Sequence, residues 1–284
     1  MELILDACTI IHLLQADIEF EKEDEPYFNH NFFTLLDKLE CNITILKVVL
    51  DEVNENASKN LTARSEQKLI KNYIDRNIHK YVSYSNFDYL VSLPFVKKVN
   101  NYTDDNGELH CTTYALHWSR YVSESIFSVH LFTDDDGVTS DFKEFFEANS
   151  LGQILATVDL LNILYQKELI GKQVVLNFAY NLKKLYVSEY NELLQLCKKA
   201  NFSGGITGIK ENALLTKLIG LLNNSDFAKI SSDIITDSSF PGIKRNNKSL
   251  NVLLDKVLKT DYKKIAIIDK KILDLKHKVW DLAS

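Results

Sequence analysis

The sequence predicts an α/β fold, a parallel-sheet α/β/α sandwich, with an additional, mainly helical C-terminal region. The main observation is that short runs rich in β-forming residues alternate with longer helical patterns. Helical segments of this length are typical of crossovers between parallel strands, and the alternation favours a sheet covered by helices on both faces. The runs are residues 2–5, 43–46, 80–85 and 128–132.

The second observation concerns how the 284-residue chain is organised. Residues 201–208 hold three of the nine glycines, which is typical of a flexible or tightly turned link. We therefore predict a first domain over residues 1–200 and a second region over 201–284. The elements expected in the second region are a helix over 211–222, a loop around 238–242 and an amphipathic segment over 258–279, of which 263–269 also fits a strand.

Charge is distributed unevenly between these regions. Residues 196–284 hold 16 Lys and Arg against 9 Asp and Glu, a net charge of +7. The first 195 residues hold 17 against 30, a net charge of −13. The acidic region repels phosphates until a cation offsets its carboxylates, so the basic region is a candidate contact for nucleic acid or for a protein partner. The alternative is that its lysines only solvate helix faces.

The composition limits the classes of protein to which the chain can belong. No apolar run approaches the roughly 18 residues needed to span a bilayer, and the N-terminus lacks the basic region of a secretory signal. The four cysteines are far apart and form no Cys-x-x-Cys pair, so neither a disulfide framework nor a zinc site is indicated. We expect a cytoplasmic protein with reduced thiols and no membrane partner. A homo-oligomer is compatible with the sequence.

Acidic residues of interest occur at four separate positions in the first region. Asp6 and the run Asp134, Asp135 and Asp136 each follow a short apolar strand, where open α/β sheets bind ligands. Glu52 and Glu108 fall near the starts of helical patterns. Carboxylates without a Cys or His partner suit hard cations such as Mg²⁺ or Mn²⁺, which indicates a metal-dependent phosphodiesterase. Each acid also has a purely structural interpretation, as a helix cap, a first-turn acid or a solvated turn.

Four segments, within roughly the first 190 residues, resemble the successive acidic motifs of the PIN-domain ribonucleases, bacterial toxin-type members included. Residues 3–14 (LILDACTIIHLL) are similar to the first strand, first catalytic aspartate and first helix of that family. Residues 43–53 (ITILKVVLDEV) are similar to the second strand and the glutamate of the next helix. Residues 105–108 (DNGE) match the Asp-x-Gly-Glu form of the third motif, and residues 131–135 (LFTDD) resemble the fourth, Thr-x-Asp.

The resemblance implies a Mg²⁺- or Mn²⁺-dependent endoribonuclease, a toxin or defence effector whose substrate is RNA, although single-stranded DNA also fits. It implies catalytic and metal-binding roles for Asp6, Glu52, Glu108 and Asp135, with Asp134 and Asp136 as further metal ligands. Thr133 would orient a carboxylate or contact phosphate. One departure is Cys8, which stands where the family usually has a small hydroxyl or amide residue and which is a poor donor to a carboxylate.

Two functions of different class remain open. The first is the active nuclease, with the C-terminal region recruiting RNA, a protein partner or an inhibitor. The second is a catalytically degenerate PIN-like scaffold that binds protein or RNA. A phosphatase with Asp6 as nucleophile is disfavoured, because Cys8 stands where the second aspartate would be expected. His110 and His117 are seven residues apart, which does not suit a metal pair, and are interpreted as packing or surface residues.

Overall fold

The computed structural model describes residues 1–22, 32–59, 64–85, 87–123, 125–202, 208–224, 227–246, 251, 254 and 262–277. Internal contacts divide the chain into two compact units, Met1–Val175 and Leu176–Ser284. The division falls inside a helix, earlier in the chain than the glycine-containing segment at which the sequence predicts a boundary. Residues 203–207 of that segment lie outside the described residues.

The first unit contains a five-stranded sheet in the order β3-β2-β1-β4-β5. Every pairing is parallel, so the predicted α/β class with a parallel sheet is confirmed. Strand β1 lies at the centre, and its Leu5 pairs with Phe132 of β4. The strands are β1 (Glu2–Leu5), β2 (Asn42–Leu46), β3 (Val82–Ser83), β4 (Val129–Phe132) and β5 (Gly152–Leu155).

Apolar residues explain why the central strands form the middle of this sheet. All four residues of β1 are buried, and three of them are apolar. In β4, Val129, Leu131 and Phe132 are completely buried. Strands that are buried on both faces are near-continuous apolar runs rather than alternating ones, which is the pattern of a parallel sheet covered by helices.

Helices connect or flank these strands in the described part of the first unit. Helix α1 packs against α3 and α8, and α6 packs against α7 and β4. The helices that begin in this unit are α1 (Ala7–Lys22), α2 (Phe32–Leu36), α3 (Lys47–Lys59), α4 (Arg64–Asn77), α5 (Leu93–Val99), α6 (Gly107–Tyr121), α7 (Asp136–Ala148), α8 (Thr157–Gln166) and α9 (Lys172–Phe202), the last of which continues into the second unit. Short 3₁₀ turns cover Asp37–Leu39, His79–Tyr81 and Asp88–Ser92.

The order of the strands places the crossover helices on both faces of the sheet. The chain moves outward in one direction from β1 to β2 and β3, then returns to β4 on the other side of β1 and continues to β5. Because parallel crossovers are right-handed, two opposite directions of travel require helices on opposite faces. The result is the layered arrangement that the alternating sequence pattern predicts.

The second unit, as far as it is described, is helical. Its core is formed by side chains of α9 (from Leu176 onward), α10 and later segments, including Leu193, Cys197, Leu215, Leu218 and Ile243. The Lys183 ammonium lies 2.6 Å from the Asp269 carboxylate within this unit. The elements after α9 are α10 (Ile209–Asn223), α11 (Phe227–Ile230), a π-helical turn (Ser231–Ile235), α12 (Phe240–Asn246) and α13 (Tyr262–Lys276).

Two sequence expectations for this region are settled by these helices. The helix predicted over 211–222 is confirmed as α10, and residues 263–269 form helix rather than strand. The loop expected around 238–242 is shorter than predicted, because α12 begins at Phe240 and Pro241 occupies its first turn, where proline is well tolerated. No helix in the described ranges combines the length and apolar character needed to cross a membrane.

Candidate active site at the carboxyl ends of the central strands

The predicted acidic residues lie where the direction of the sheet connections reverses. Asp6 directly follows β1, and Thr133 to Asp135 directly follow β4, the strand beside it. The chain leaves β1 toward β2 and leaves β4 toward β5, so the connections diverge between these two strands. In open α/β sheets a crevice forms at such a reversal, outside the carboxyl ends of the strands, and ligands bind there.

Asp6 is held by groups from its own helix and from β4. Only 5% of Asp6 is exposed, and Thr133 Oγ1 donates a hydrogen bond of 2.9 Å to Asp6 Oδ2. The thiol of Cys8 lies 3.2 Å from the same oxygen and 3.1 Å from Thr133 Oγ1. The backbone N–H of Asp134 also donates to Cys8 Sγ, at 3.0 Å. Cys8 therefore joins the ends of β1 and β4.

Glu52 reaches the site from the second turn of α3. The backbone N–H of Gly107, the first residue of α6, donates to Glu52 Oε1 at 2.8 Å. A Cβ atom on Gly107 would lie 2.8 Å from Glu52 Oε2 and 3.2 Å from a methyl carbon of Val49. Glycine at position 107 therefore allows the start of α6 to approach the carboxylate and donate to it.

Glu108 is the second residue of α6 and is bound by a tyrosine from the preceding loop. The hydroxyl of Tyr102 donates to Glu108 Oε2 at 2.6 Å, and Asn106 Nδ2 donates to that hydroxyl at 3.0 Å. Asn106 is also the N-cap of α6, because its Oδ1 accepts from the N–H of Leu109 at 3.2 Å.

The charges of these carboxylates act on one another. Burial raises the pKa of Asp6, and the charge of Asp135 raises it further, against hydrogen bonds from Ala7, Cys8 and Thr133. Burial likewise raises the pKa of Glu52, with Asp6 contributing. Burial also raises the pKa of Glu108, against the Tyr102 hydrogen bond, and the charges of Asp135 and Asp6 add to the increase. Four carboxylates from four elements therefore face a shared electrostatic environment.

Asp135 and Asp136 begin helix α7. Asp135 is its N-cap, since Asp135 Oδ1 accepts from the N–H of Gly137 at 2.8 Å. Its own N–H donates to Thr133 Oγ1 at 3.1 Å, so Thr133 links Asp135 to Asp6. The structural alternative for this segment was a solvated turn, and the structure shows a helix cap instead, which uses one oxygen of Asp135. The side chain of Asp136 lies outside the described part of the chain, so its predicted metal role stays a prediction.

Both carboxylate oxygens of Asp134, a predicted metal ligand, are bound by neighbouring residues. Its Oδ2 lies 2.7 Å from His12 Nδ1 and also accepts from the Thr157 hydroxyl, while its Oδ1 accepts from the Thr157 N–H at 2.9 Å. Burial alone would raise the pKa of Asp134, but the contacts with His12 and Thr157 outweigh it and the pKa lies below its usual range. Asp134 therefore joins β4 to α1 and to the start of α8.

His110 and Tyr89 are site residues that the sequence analysis missed. His110 Nε2 lies 2.9 Å from Asp105 Oδ1, and His110 Nδ1 lies 2.8 Å from the Tyr89 hydroxyl. Proximity to His110 lowers the pKa of Glu52, although burial and neighbouring acids dominate and the net shift is upward. The interpretation of His110 as a packing residue is incomplete, because it is part of a polar chain beside the acids. The only sequence feature that could have indicated a role for His110 is its position about one helical turn after Gly107.

The donor set suits a divalent cation by its chemistry and charge. Asp6, Glu52, Glu108 and Asp135 offer carboxylate oxygens only. A bound cation would offset the burial and, after it, the neighbouring negative charges that raise the pKa of Asp6, Glu52 and Glu108. As the side chains stand, no group of three or more His, Cys, Asp or Glu residues in the described ranges is close enough to hold an ion. Binding would therefore require other carboxylates of this set to rotate toward Glu108, which accepts a hydrogen bond from Tyr102.

The fold and these contacts define an α/β protein with a cluster of carboxylates at the reversal point of a parallel sheet. Comparison of the chain with protein-family models, with curated proteins and with solved structures found no match.

Proposed function

We propose that the protein is a Mg²⁺- or Mn²⁺-dependent ribonuclease with a PIN-like catalytic domain. The observation that carries this proposal is the placement of four acids at the reversal point of the sheet: Thr133 joins Asp6 to Asp135, and the start of α6 joins Glu52 to Glu108. Asp6 is buried and the other three are half-buried. Acids in such positions that disfavour one another's charge are destabilising without a cation, which supports a role in binding or catalysis.

In this proposal the four carboxylates hold one or two divalent ions. When bound, such ions activate water and neutralise the charge that develops on the phosphodiester. Thr133 orients Asp6 through the 2.9 Å hydrogen bond and ties it to the start of α7. The Asp134 network fixes the ends of β1 and β4 relative to each other, so the acids keep their positions while substrate binds.

RNA is the proposed substrate, and the basic second unit is a candidate contact for its backbone. Residues 176–284 hold 18 Lys and Arg against 11 Asp and Glu, whereas residues 1–175 hold 15 against 28. The exposed side chains of Lys199, Lys210 and Arg245 are among those cations. Cations of this kind bind phosphates without regard to sequence, and the binding weakens as salt increases. The proposed biological role is that of a toxin or defence effector.

The direct experiment is cleavage of labelled single-stranded RNA and DNA in Mn²⁺, Mg²⁺ or EDTA. We expect cutting of RNA that requires the metal and falls by at least about 100-fold in Asp6→Asn and Asp135→Asn, because removing a metal-bound charge weakens both binding and activation. Asp51→Asn is the matched control, since Asp51 is next to Glu52 in sequence but is exposed and paired with Lys47. Equal cutting by all variants would trace the activity to a contaminant.

A second candidate is a catalytically degenerate scaffold that binds RNA or protein. It is favoured by the finding that, within the described ranges, no three potential ligands already surround one point. The scaffold predicts that Mn²⁺ neither supports cleavage nor raises the melting temperature, whereas a metalloenzyme at 100 times its Kd gains about 2.7 kcal/mol. Thermal unfolding with and without Mn²⁺ therefore separates the two functions without needing the correct substrate.

A further inference from the structure

Tyr102 binds one of the four acids from the loop that precedes α6. Its hydroxyl donates to Glu108 Oε2 at 2.6 Å, a short hydrogen bond of the kind made to a charged acceptor. A carboxylate that is bound through one oxygen cannot rotate about its terminal bond without losing that contact. The phenol therefore fixes the orientation of Glu108.

The phenol is itself held from two sides. Asn106 Nδ2 donates to the Tyr102 hydroxyl at 3.0 Å, so the hydroxyl proton is directed to Glu108. The orientation of the Asn106 amide is set by capping, because its oxygen accepts from the N–H of Leu109. A chain of hydrogen bonds thus runs from the start of α6 through Asn106 and Tyr102 to Glu108.

The ring and backbone of Tyr102 are also fixed. Its ring packs against Phe142 of α7, with ring centroids 4.9 Å apart. Its N–H donates to the carbonyl of Lys97 at 2.9 Å, which attaches the loop to the end of α5. Tyr102 therefore contacts three helices, α5, α6 and α7, next to the Glu108 carboxylate. Packing of its ring and backbone fixes the position of its hydroxyl.

We propose that Tyr102 is a positioning residue that sets the orientation of Glu108 for cation binding. This inference rests on the proposed function, because it assigns Glu108 to a divalent ion. A carboxylate whose rotation is already restricted loses less freedom when an ion binds, and partners of metal-binding side chains typically change metal affinity by about 10- to 100-fold when removed.

The test compares Tyr102→Phe with Tyr81→Phe in the full chain. Tyr102→Phe keeps the ring that packs on Phe142 and removes only the hydroxyl. Tyr81 also binds a carboxylate, that of Asp37. Both residues precede strands, so they lie toward the amino ends of the strands, whereas Asp6 and Asp135 lie at the carboxyl ends. The variable measured is the Mn²⁺ concentration at half-maximal increase in melting temperature, with the Mn²⁺ dependence of cleavage as a second measurement.

We expect the Mn²⁺ midpoint to increase by about 10-fold or more in Tyr102→Phe and to stay within about twofold of wild type in Tyr81→Phe. Asn106→Ser keeps an N-cap residue but loses the donor to Tyr102, and we expect a smaller increase in the same direction. An unchanged midpoint in Tyr102→Phe, with a wild type that responds to Mn²⁺, would overturn this inference and leave the proposed function standing. A wild type that shows no Mn²⁺ response at all would overturn both.

Discussion

Two neighbouring aspartates, Asp134 and Asp135, have opposite roles although they follow the same strand. The Asp134 side chain is only 6% exposed and binds His12 and Thr157, so it stabilises the ends of the strands. Asp135 caps α7 and adds its charge to that of Asp6 and Glu108. Successive residues leaving a strand point to opposite sides, which explains how one joins the packed interior and the other faces the acids.

We expect Asp134→Asn to reduce the free energy of unfolding by about 3 kcal/mol, because it leaves His12 without its buried charged partner. Asp135→Asn should change it by less than about 0.5 kcal/mol, since asparagine caps helices as well as aspartate does. Urea unfolding at neutral pH measures both. If Asp134→Asn proves as stable as Asp135→Asn, the structural role assigned to Asp134 is wrong.

The contribution of Asp134 has a defined pH dependence. Its pKa is lowered in the folded state, so its stabilising effect is fully present above the usual range for a carboxyl group and is lost as pH falls through the lowered value. We expect the difference in unfolding free energy between wild type and Asp134→Asn to be constant near neutral pH. The same urea series repeated at acid pH should show that difference becoming smaller.

The sequence predicts the positions of the acids from local features, whereas the side chains that bind these acids are harder to predict. Asp6 and Glu108 were found from their positions after a strand and before a helix, which are local features. The residues that bind these acids, Thr133 and Tyr102, differ in how far the sequence marks them. Thr133 lies 127 positions from Asp6 but belongs to a motif, whereas the loop position of Tyr102 carries no pattern that marks it as a donor.

Among the elements, the start of α6 is adapted to the site through Gly107. Gly107→Ala places a methyl group 2.8 Å from Glu52 Oε2, so Glu52, the flexible partner, has to move. We expect about a 10-fold loss of Mn²⁺ affinity with a change in unfolding free energy below about 1 kcal/mol, because alanine itself favours a helix. Mn²⁺-dependent thermal unfolding reports both quantities.

Gly220 of α10 is the matched control for that substitution. A Cβ atom on Gly220 would meet no neighbouring atom within 4 Å. Gly220→Ala should therefore stabilise the protein by about 0.5 to 1 kcal/mol and leave the Mn²⁺ response unchanged. Equal Mn²⁺ responses in Gly107→Ala and Gly220→Ala would show that the close approach of α6 to Glu52 has no role in binding.

The elements that the sequence did not predict are those fixed by tertiary contacts. The edge strand β5 is not among the runs that the sequence predicts as strands, and it begins at a glycine. Gly152 has φ +151°, and a Cβ there would meet the backbone of Val129, so this glycine makes the pairing with β4 possible. Strand β3 is only two residues long, shorter than the predicted run over 80–85. Hydrogen bonding to the neighbouring strand, rather than the β-propensity of their residues, defines both β3 and β5.

For the whole molecule, the acid cluster predicts how stability depends on pH and on metal. The folded-state pKa of Glu108 is raised, so the folded protein loses stability as pH rises from the usual carboxyl range through that raised value. In EDTA, Glu108→Gln should therefore be more stable than wild type near pH 8, with the difference vanishing toward pH 4.

Saturating Mn²⁺ should reverse this order near pH 8, because only the charged wild-type carboxylate gains from the ion. Melting curves of both proteins in EDTA and in Mn²⁺ across this pH range provide the measurement. A wild type that is more stable than Glu108→Gln in EDTA at every pH would mean that the carboxylate is not repelled by its neighbours.

The pairing of β1 with β4 also determines when the site can exist during synthesis. Asp6 is synthesised before Thr133, which binds it and follows 127 positions later, and before Asp135. Because chains are synthesised from the N-terminus, a nascent fragment that ends before Asp135 lacks part of the acid cluster. The proposed nuclease would therefore become competent only after most of its first unit has been synthesised.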